Sequence, residues 1–189
     1  MLVNTQGEFL APIAITAVVP VVLFLALCAL LPKFHEAVLA QDIAVLTALQ
    51  HWRVMGFGFL LLYAHGVLPG PFAWPAGLGD VAIGIAAAFV LVRLRRDPEF
   101  ALSPGFLRFH VLGLLDFAVA IATAGLSAGQ FPGSIENGVT SAAMDVWPLN
   151  IFPSFFVPVF IILHLTTLFK ICQMRRERPV IMRATAVTA

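Results

Sequence analysis

The chain has 189 residues, 60% of them hydrophobic and 11% charged, with a mean hydropathy of +0.97. Those fractions lie far from a soluble domain's and put the chain in a bilayer, so lipid is its first partner. A formal net charge of +1 gives no general attraction to nucleic acid, and the few bases stand where membrane orientation explains them, which excludes a nucleic-acid partner.

Crossing the hydrocarbon takes roughly 20 apolar residues, and five such stretches are present. The first covers residues 9–31 and contains Pro12 and Pro20, which a membrane helix tolerates as kinks. No Lys or Arg precedes it, so it reads as a retained helix and not as a cleaved signal peptide. Residues 33–50 set Glu36, Gln41 and Asp42 among Val38, Leu39, Ile43 and Leu46. That pattern suits an amphipathic helix at the interface, leading without a break into a second span over 46–68.

The run Pro69-Gly70-Pro71-Phe72-Ala73-Trp74-Pro75 reads as a turn, with Pro75 opening the third span, 75–95, at the first helical position. Ser103 before Pro104 supplies a cap-plus-proline start for the fourth span, 104–128. A polar loop over 129–149 holds Glu136, Asn137 and Asp145. The fifth span, 150–170, carries Pro153 and Pro158, and residues 171–189 form a tail. The expected architecture is one all-α membrane domain over 1–189, an integral bundle of five transmembrane helices. An odd number of spans argues against a simple inverted duplication.

Lys33, Arg93, Arg95, Arg96, Arg108, Lys170, Arg175, Arg176, Arg178 and Arg183 all fall on one side of this scheme; Arg53, inside a span, is the exception. Short basic loops stay cytoplasmic, which puts the N-terminus out and the C-terminus in. Trp74 and Trp147 then sit at the outer interface and Trp52 near the inner one. Cys28 and Cys172 fall at cytoplasmic ends, where thiols stay reduced. Neither a disulfide nor a Cys-x-x-Cys metal site is expected.

Ionisable side chains within spans are costly and mark interior contacts or function. At 1.5 Å per residue, Asp116 lies about 18 Å from the inner end of its helix, Arg53 and His164 about 21 Å from the outer ends of theirs, and His110 about 9 Å from its inner end. Arg53, His110, Asp116 and His164 therefore share one layer. The plain reading is an Arg53–Asp116 pair fixing helix register, with His164 donating to a backbone carbonyl. The functional reading is a proton relay or ligand pocket. A haem held by His110 and His164 at inner depth is the electron-transfer alternative. His51 and His65, 14 residues apart, return to nearly one helix face, but no second helix offers the matching pair that two haems need.

Nearer the outer side Tyr63, His65 and Asp80 form a second group. Asp80 continues as a stripe with Gly77, Gly84, Ala87 and Ala88, a face that admits a neighbouring helix closely. One turn into the third span, Asp80 either bonds near a helix N-terminus or lines an outward pocket roofed by the 69–75 turn. Gly125-Leu126-Ser127-Ala128-Gly129 fits G-x-S-x-G, but a nucleophile elbow needs a strand turning into a helix, and here the motif ends a membrane helix. No phosphate-binding Gly-Lys loop or His-Glu-x-x-His pattern occurs.

Arg53-Val54-Met55-Gly56, Leu68-Pro69-Gly70 with Phe72 to Asp80, and Phe152-Pro153-Ser154-Phe155-Phe156-Val157-Pro158 leading to Leu163-His164 resemble a group of small bacterial multi-pass membrane proteins of unassigned function. The resemblance runs from His51 to Lys170. It implies a bacterial inner-membrane protein and carries no activity with it. The functional expectations are therefore a non-enzymatic subunit or accessory protein, assembling with itself or with partner helices, and a carrier or channel for a proton or small solute using Arg53, Asp116 and His164.

Overall fold

The computed structural model describes residues 12–128 and 138–187, with side chains over 15–128 and 138–177. It is helical throughout, with no strand element among the described residues. Among the described residues four helices are individually long and apolar enough to cross a membrane, and a fifth crossing is made if α1 (Pro12–Leu30) and the short α2 (Pro32–Leu39), bent 110° from it, count as one broken span.

The interfacial helix expected over 33–50 is two pieces. Pro32 starts α2, which ends at Leu39; Phe34 and His35 rest against Phe24 and Phe169. Asp42 then breaks the path and caps α3 (Ile43–Leu49), accepting from the backbone N–H of Ala44 at 2.6 Å and of Val45 at 3.2 Å. An aspartate here satisfies amides that the new helix leaves without partners. The second crossing therefore begins at Ile43 and runs through α4 (Phe57–Ala64).

Between α3 and α4 the backbone tightens into a 3-10 helix, Gln50–Gly56. Nothing in the residue pattern had announced it. The buried positions Thr47, Gln50, Arg53, Gly56 and Phe59 recur every third residue. A 3-10 helix has three residues per turn, so such a row stays on one face, whereas an α-helix would wind it away. Gly84 of α5 (Gly70–Arg96) permits the fit, since a Cβ there would overlap the Val54 backbone. His51 Nδ1 donates to the Gly84 carbonyl at 2.9 Å.

α5 begins five residues earlier than the sequence implied. Pro69 is extended (φ −75°, ψ 143°) and Pro71 occupies the first turn, so the helix nucleates there and Pro75 lies inside it. Proline early in a helix forgoes only one ladder bond, and the burial of Phe72, Ala73 and Ala76 against Phe59, Leu68 and Met144 holds those turns together. The expected roof is thus helix. A one-turn link, Pro98–Leu102, leads to α6 (Pro104–Leu126), whose Ser103 cap accepts from Phe106 N–H at 3.1 Å as the cap-plus-proline pattern requires.

After a short 3-10 turn, Ser141–Asp145, a π-helical turn at Phe152–Phe156 opens the last helix, α7 (Val157–Val187). Its proline-rich start, Pro153 and Pro158, removes two ladder donors, which favours the wider turn. The helix ends that carry Arg93 to Arg96 and Lys170 close around Leu94, Ala101, Phe106 and Ile171. There Lys170 donates to the Gln41 carbonyl and Arg175 to that of Leu102, the latter at 3.1 Å. Trp52, Trp74 and Trp147 are exposed, and Cys28 and Cys172 are free thiols.

Candidate functional site

Four helices each contribute one face to a buried polar layer. Arg53 reaches it from the 3-10 segment, Asp80 from α5, Gly113 and Asp116 from α6, and His164 from α7. On α6, Gly113 follows His110 by three residues and is followed by Asp116 and Phe117 at three and four, hence on one face; on α7, Phe160, His164, Thr167 and Ile171 also recur at steps of three or four.

The Arg53 side chain is 0% exposed, and all three guanidinium nitrogens are engaged. Nε donates to Asp80 Oδ1 at 2.7 Å, and Nη2 donates to Asp116 Oδ2. Nη1 donates to the Gly113 carbonyl and to His164 Nε2, each at 3.2 Å. The guanidinium also lies over the Phe117 ring, 3.9 Å from its centroid, a favourable cation–π placement.

These contacts assign the histidine protons. Arginine only donates, so His164 Nε2 must accept and its proton sits on Nδ1. Nδ1–H then donates to His110 Nδ1 at 2.8 Å. His110 carries its own proton on Nε2, which is buried without a partner among the described residues. Both imidazoles are consequently neutral, packed edge-on against Phe109, with Phe106 beside His110 and Phe117 beside His164.

Three glycines make room for this layer. A Cβ at Gly56 would strike Asp80, one at Gly79 would strike the Asp116 carboxylate, and one at Gly113 would strike the His164 ring. The sequence carries the signal as glycines placed amid polar residues of spans, yet only the packing shows what each admits.

The layer predicted from depth is largely assembled: Arg53, Asp116, His164 and His110 meet. Two details differ from expectation. His164 does not donate to a backbone carbonyl; it accepts from Arg53 and donates to His110. Asp80, grouped by sequence with Tyr63 and His65, pairs with Arg53, because starting α5 at Gly70 moves it to about 15 Å from the helix start instead of one turn in. Tyr63 packs edge-on against Trp74, and His65 ends α4, exposed.

Haem ligation by His110 and His164 does not fit. Two imidazoles sharing a metal stand about 4 Å apart, twice a metal–nitrogen bond, whereas these nitrogens are in direct hydrogen-bond contact and the rings around them are closely packed. Among the described residues no three His, Cys, Asp or Glu side chains are grouped to hold a metal ion. Gly125, Leu126 and Ser127 close α6, with Ser127 as its C-cap, while Gly129 of the G-x-S-x-G motif, like Glu136 and Asn137, lies outside the described residues.

A cavity of about 160 Å³ leads to the layer. Its floor includes Arg53 and Asp80, its walls come from α1, α4, α5, α6 and the start of α7, and its rim carries Ser141, Met144 and Asp145. Burial in that rim raises the Asp145 carboxyl above its usual range.

Residues 10–172 match the family described as a domain of unknown function, DUF8737. The chain belongs to that family. The match takes in both α1 and the polar layer, so layer and cavity lie inside the family's domain. No curated protein and no solved structure matches the chain.

Proposed function

We propose that this chain is a bacterial inner-membrane protein that admits a small solute from the outer face into a cavity ending on the Asp80–Arg53–Asp116 layer, as a carrier or channel does. The observation that carries the reading is where the cavity ends: apolar space meets the buried charges at Asp80 and Arg53. Charges in the membrane interior are costly, and small residues already let helices in lipid approach closely without them. A charged layer at the end of a cavity is therefore best accounted for by a ligand.

The outward assignment follows from the bases. Arg93, Arg95, Arg96, Lys170 and Arg175 stand at the end opposite the rim, which the positive-inside rule makes cytoplasmic. The competing reading, a non-enzymatic subunit packing against itself or partner helices, uses the same ion layer as glue but leaves the cavity without a role.

Thiol accessibility tests this. In a variant whose Cys28 and Cys172 are replaced by serine, cysteine is placed at Ala124 or Met144 on the cavity wall and at Leu112, which faces away from the bundle. A small membrane-impermeant thiol reagent added from outside is expected to modify the first two and spare the third. Unmodified cavity positions, or modification only from the cytoplasmic side, would overturn the reading.

A further inference from the structure

We infer that the cavity takes a small lipophilic monocation, a protonated amine with an apolar body about the size of a benzene ring, whose ammonium is received at Asp80. This rests on the reading that the cavity admits a solute and adds the solute's class.

Charge is the first argument. Two carboxylates, Asp80 and Asp116, face one guanidinium, and His164 is neutral because its Nε2 accepts from Arg53. Counting Asp116, which is not itself a lining residue, the formal charge of the layer is therefore −1. Among the described lining residues Arg53 is the only base, and its nitrogens are already given to Asp80, Asp116, His164 and the Gly113 carbonyl. It has nothing left with which to receive an anion.

Asp80 differs in this respect. Its side chain is 17% exposed, and it spends Oδ1 on Arg53 while Oδ2 accepts no hydrogen bond among the described residues. The floor thus holds a carboxylate oxygen without a hydrogen-bond partner, beside a cation whose nitrogens are all committed.

The walls agree. Phe59, Phe72, Phe117, Phe152, Phe156 and Phe160 all line the space. Aromatic faces are electron-rich, so rings of this kind favour a cation over a neutral molecule of equal shape. Asp145, also among the lining residues, adds a second carboxylate, which attracts cations and repels anions. Size sets the limit: an apolar cavity of about 150 Å³ holds benzene, and this one is about 160 Å³. A neutral ligand would fill the walls and leave the floor's charge unanswered.

The test uses the purified full chain in lipid nanodiscs, empty nanodiscs as control, and three probes of one shape: benzylammonium, benzyl alcohol and benzoate. Titration calorimetry is expected to show benzylammonium binding at least about tenfold more tightly than benzyl alcohol, the scale of a desolvated cation–π and charge contact, with benzoate not binding. In Asp80→Asn the ammonium preference should vanish while benzyl alcohol still binds, which also reports that the cavity is intact. Should Asp80→Asn fail to fold, the charge series on the wild-type chain decides alone. Equal binding of ammonium and alcohol, or a preference for benzoate, would overturn the monocation and leave the solute cavity standing. Binding of none of the three would remove both.

Discussion

Replacing Arg53 with methionine removes the one cation of the layer and leaves Asp80 and Asp116 facing each other with side-chain exposures of 17% and 13%. Breaking a buried ion pair by deleting one partner costs about 3–5 kcal/mol, because the remaining charge is stranded. Here two carboxylates are stranded, His164 Nε2 and the Gly113 carbonyl lose their donor, and the contact with Phe117 goes. The loss should therefore lie near the upper end, about 5 kcal/mol. Asp80→Asn leaves Arg53 its Asp116 partner and should cost less, about 1–3 kcal/mol. The apolar triple variant Arg53→Met, Asp80→Leu, Asp116→Leu strands no charge and should recover most of the Arg53→Met loss. Equilibrium unfolding in mixed micelles of rising dodecyl sulfate content, followed by far-ultraviolet circular dichroism, measures all four chains. An Arg53→Met variant within about 1 kcal/mol of wild type, below the range for a broken buried pair, or a triple variant no better than Arg53→Met, would refute the account of the layer.

Other outcomes follow from the same geometry. Gly79→Ala and Gly113→Ala should each destabilise by about 1–3 kcal/mol through overpacking against Asp116 and His164. Gly58→Ala, with nothing within 4 Å of the new Cβ, should be neutral or stabilise by up to about 1 kcal/mol; the same unfolding assay separates the two cases. Asp42→Ala should lose about 1 kcal/mol with the α3 cap, visible as a shift in the unfolding midpoint. His164→Phe should cost more than His110→Phe, since His164 joins two polar partners and His110 one; equal losses would contradict the central place of His164 in the layer. For Asp145, burial raises the folded carboxyl above its unfolded value, so its contribution is fully present at low pH and is lost as pH rises through the folded value. Asp145→Asn should accordingly be more stable than wild type at neutral pH and equal to it below about pH 4, as thermal unfolding across that range would show.

The polar layer was half legible beforehand. Depth along a helix is fixed by 1.5 Å per residue, so Arg53 and Asp116 could be matched in height from span ends alone. Asp80 could not be, because its depth depends on where α5 starts, and a run of three prolines and a glycine permits either Pro71 or Pro75 to do so. The five-residue difference is about 7.5 Å, enough to move a carboxylate from the outer group to Arg53.

Sequence alone determined the solvent and the helical class: a chain so apolar must satisfy its backbone hydrogen bonds within itself in lipid, which leaves helices as the answer for segments of this length and composition. It also determined the grouping of bases at one end and the cost of burying Arg53. Only the tertiary structure decided the 3-10 turn that aims Gln50, Arg53 and Gly56 along one face, the choice of two carboxylates for one guanidinium, the His164–His110 bond and the cavity above them. Those depend on how closely helices approach at Gly56, Gly79, Gly84 and Gly113. Such contacts are set by the partner helix, and no periodicity along one strand of sequence encodes which neighbour a glycine will admit.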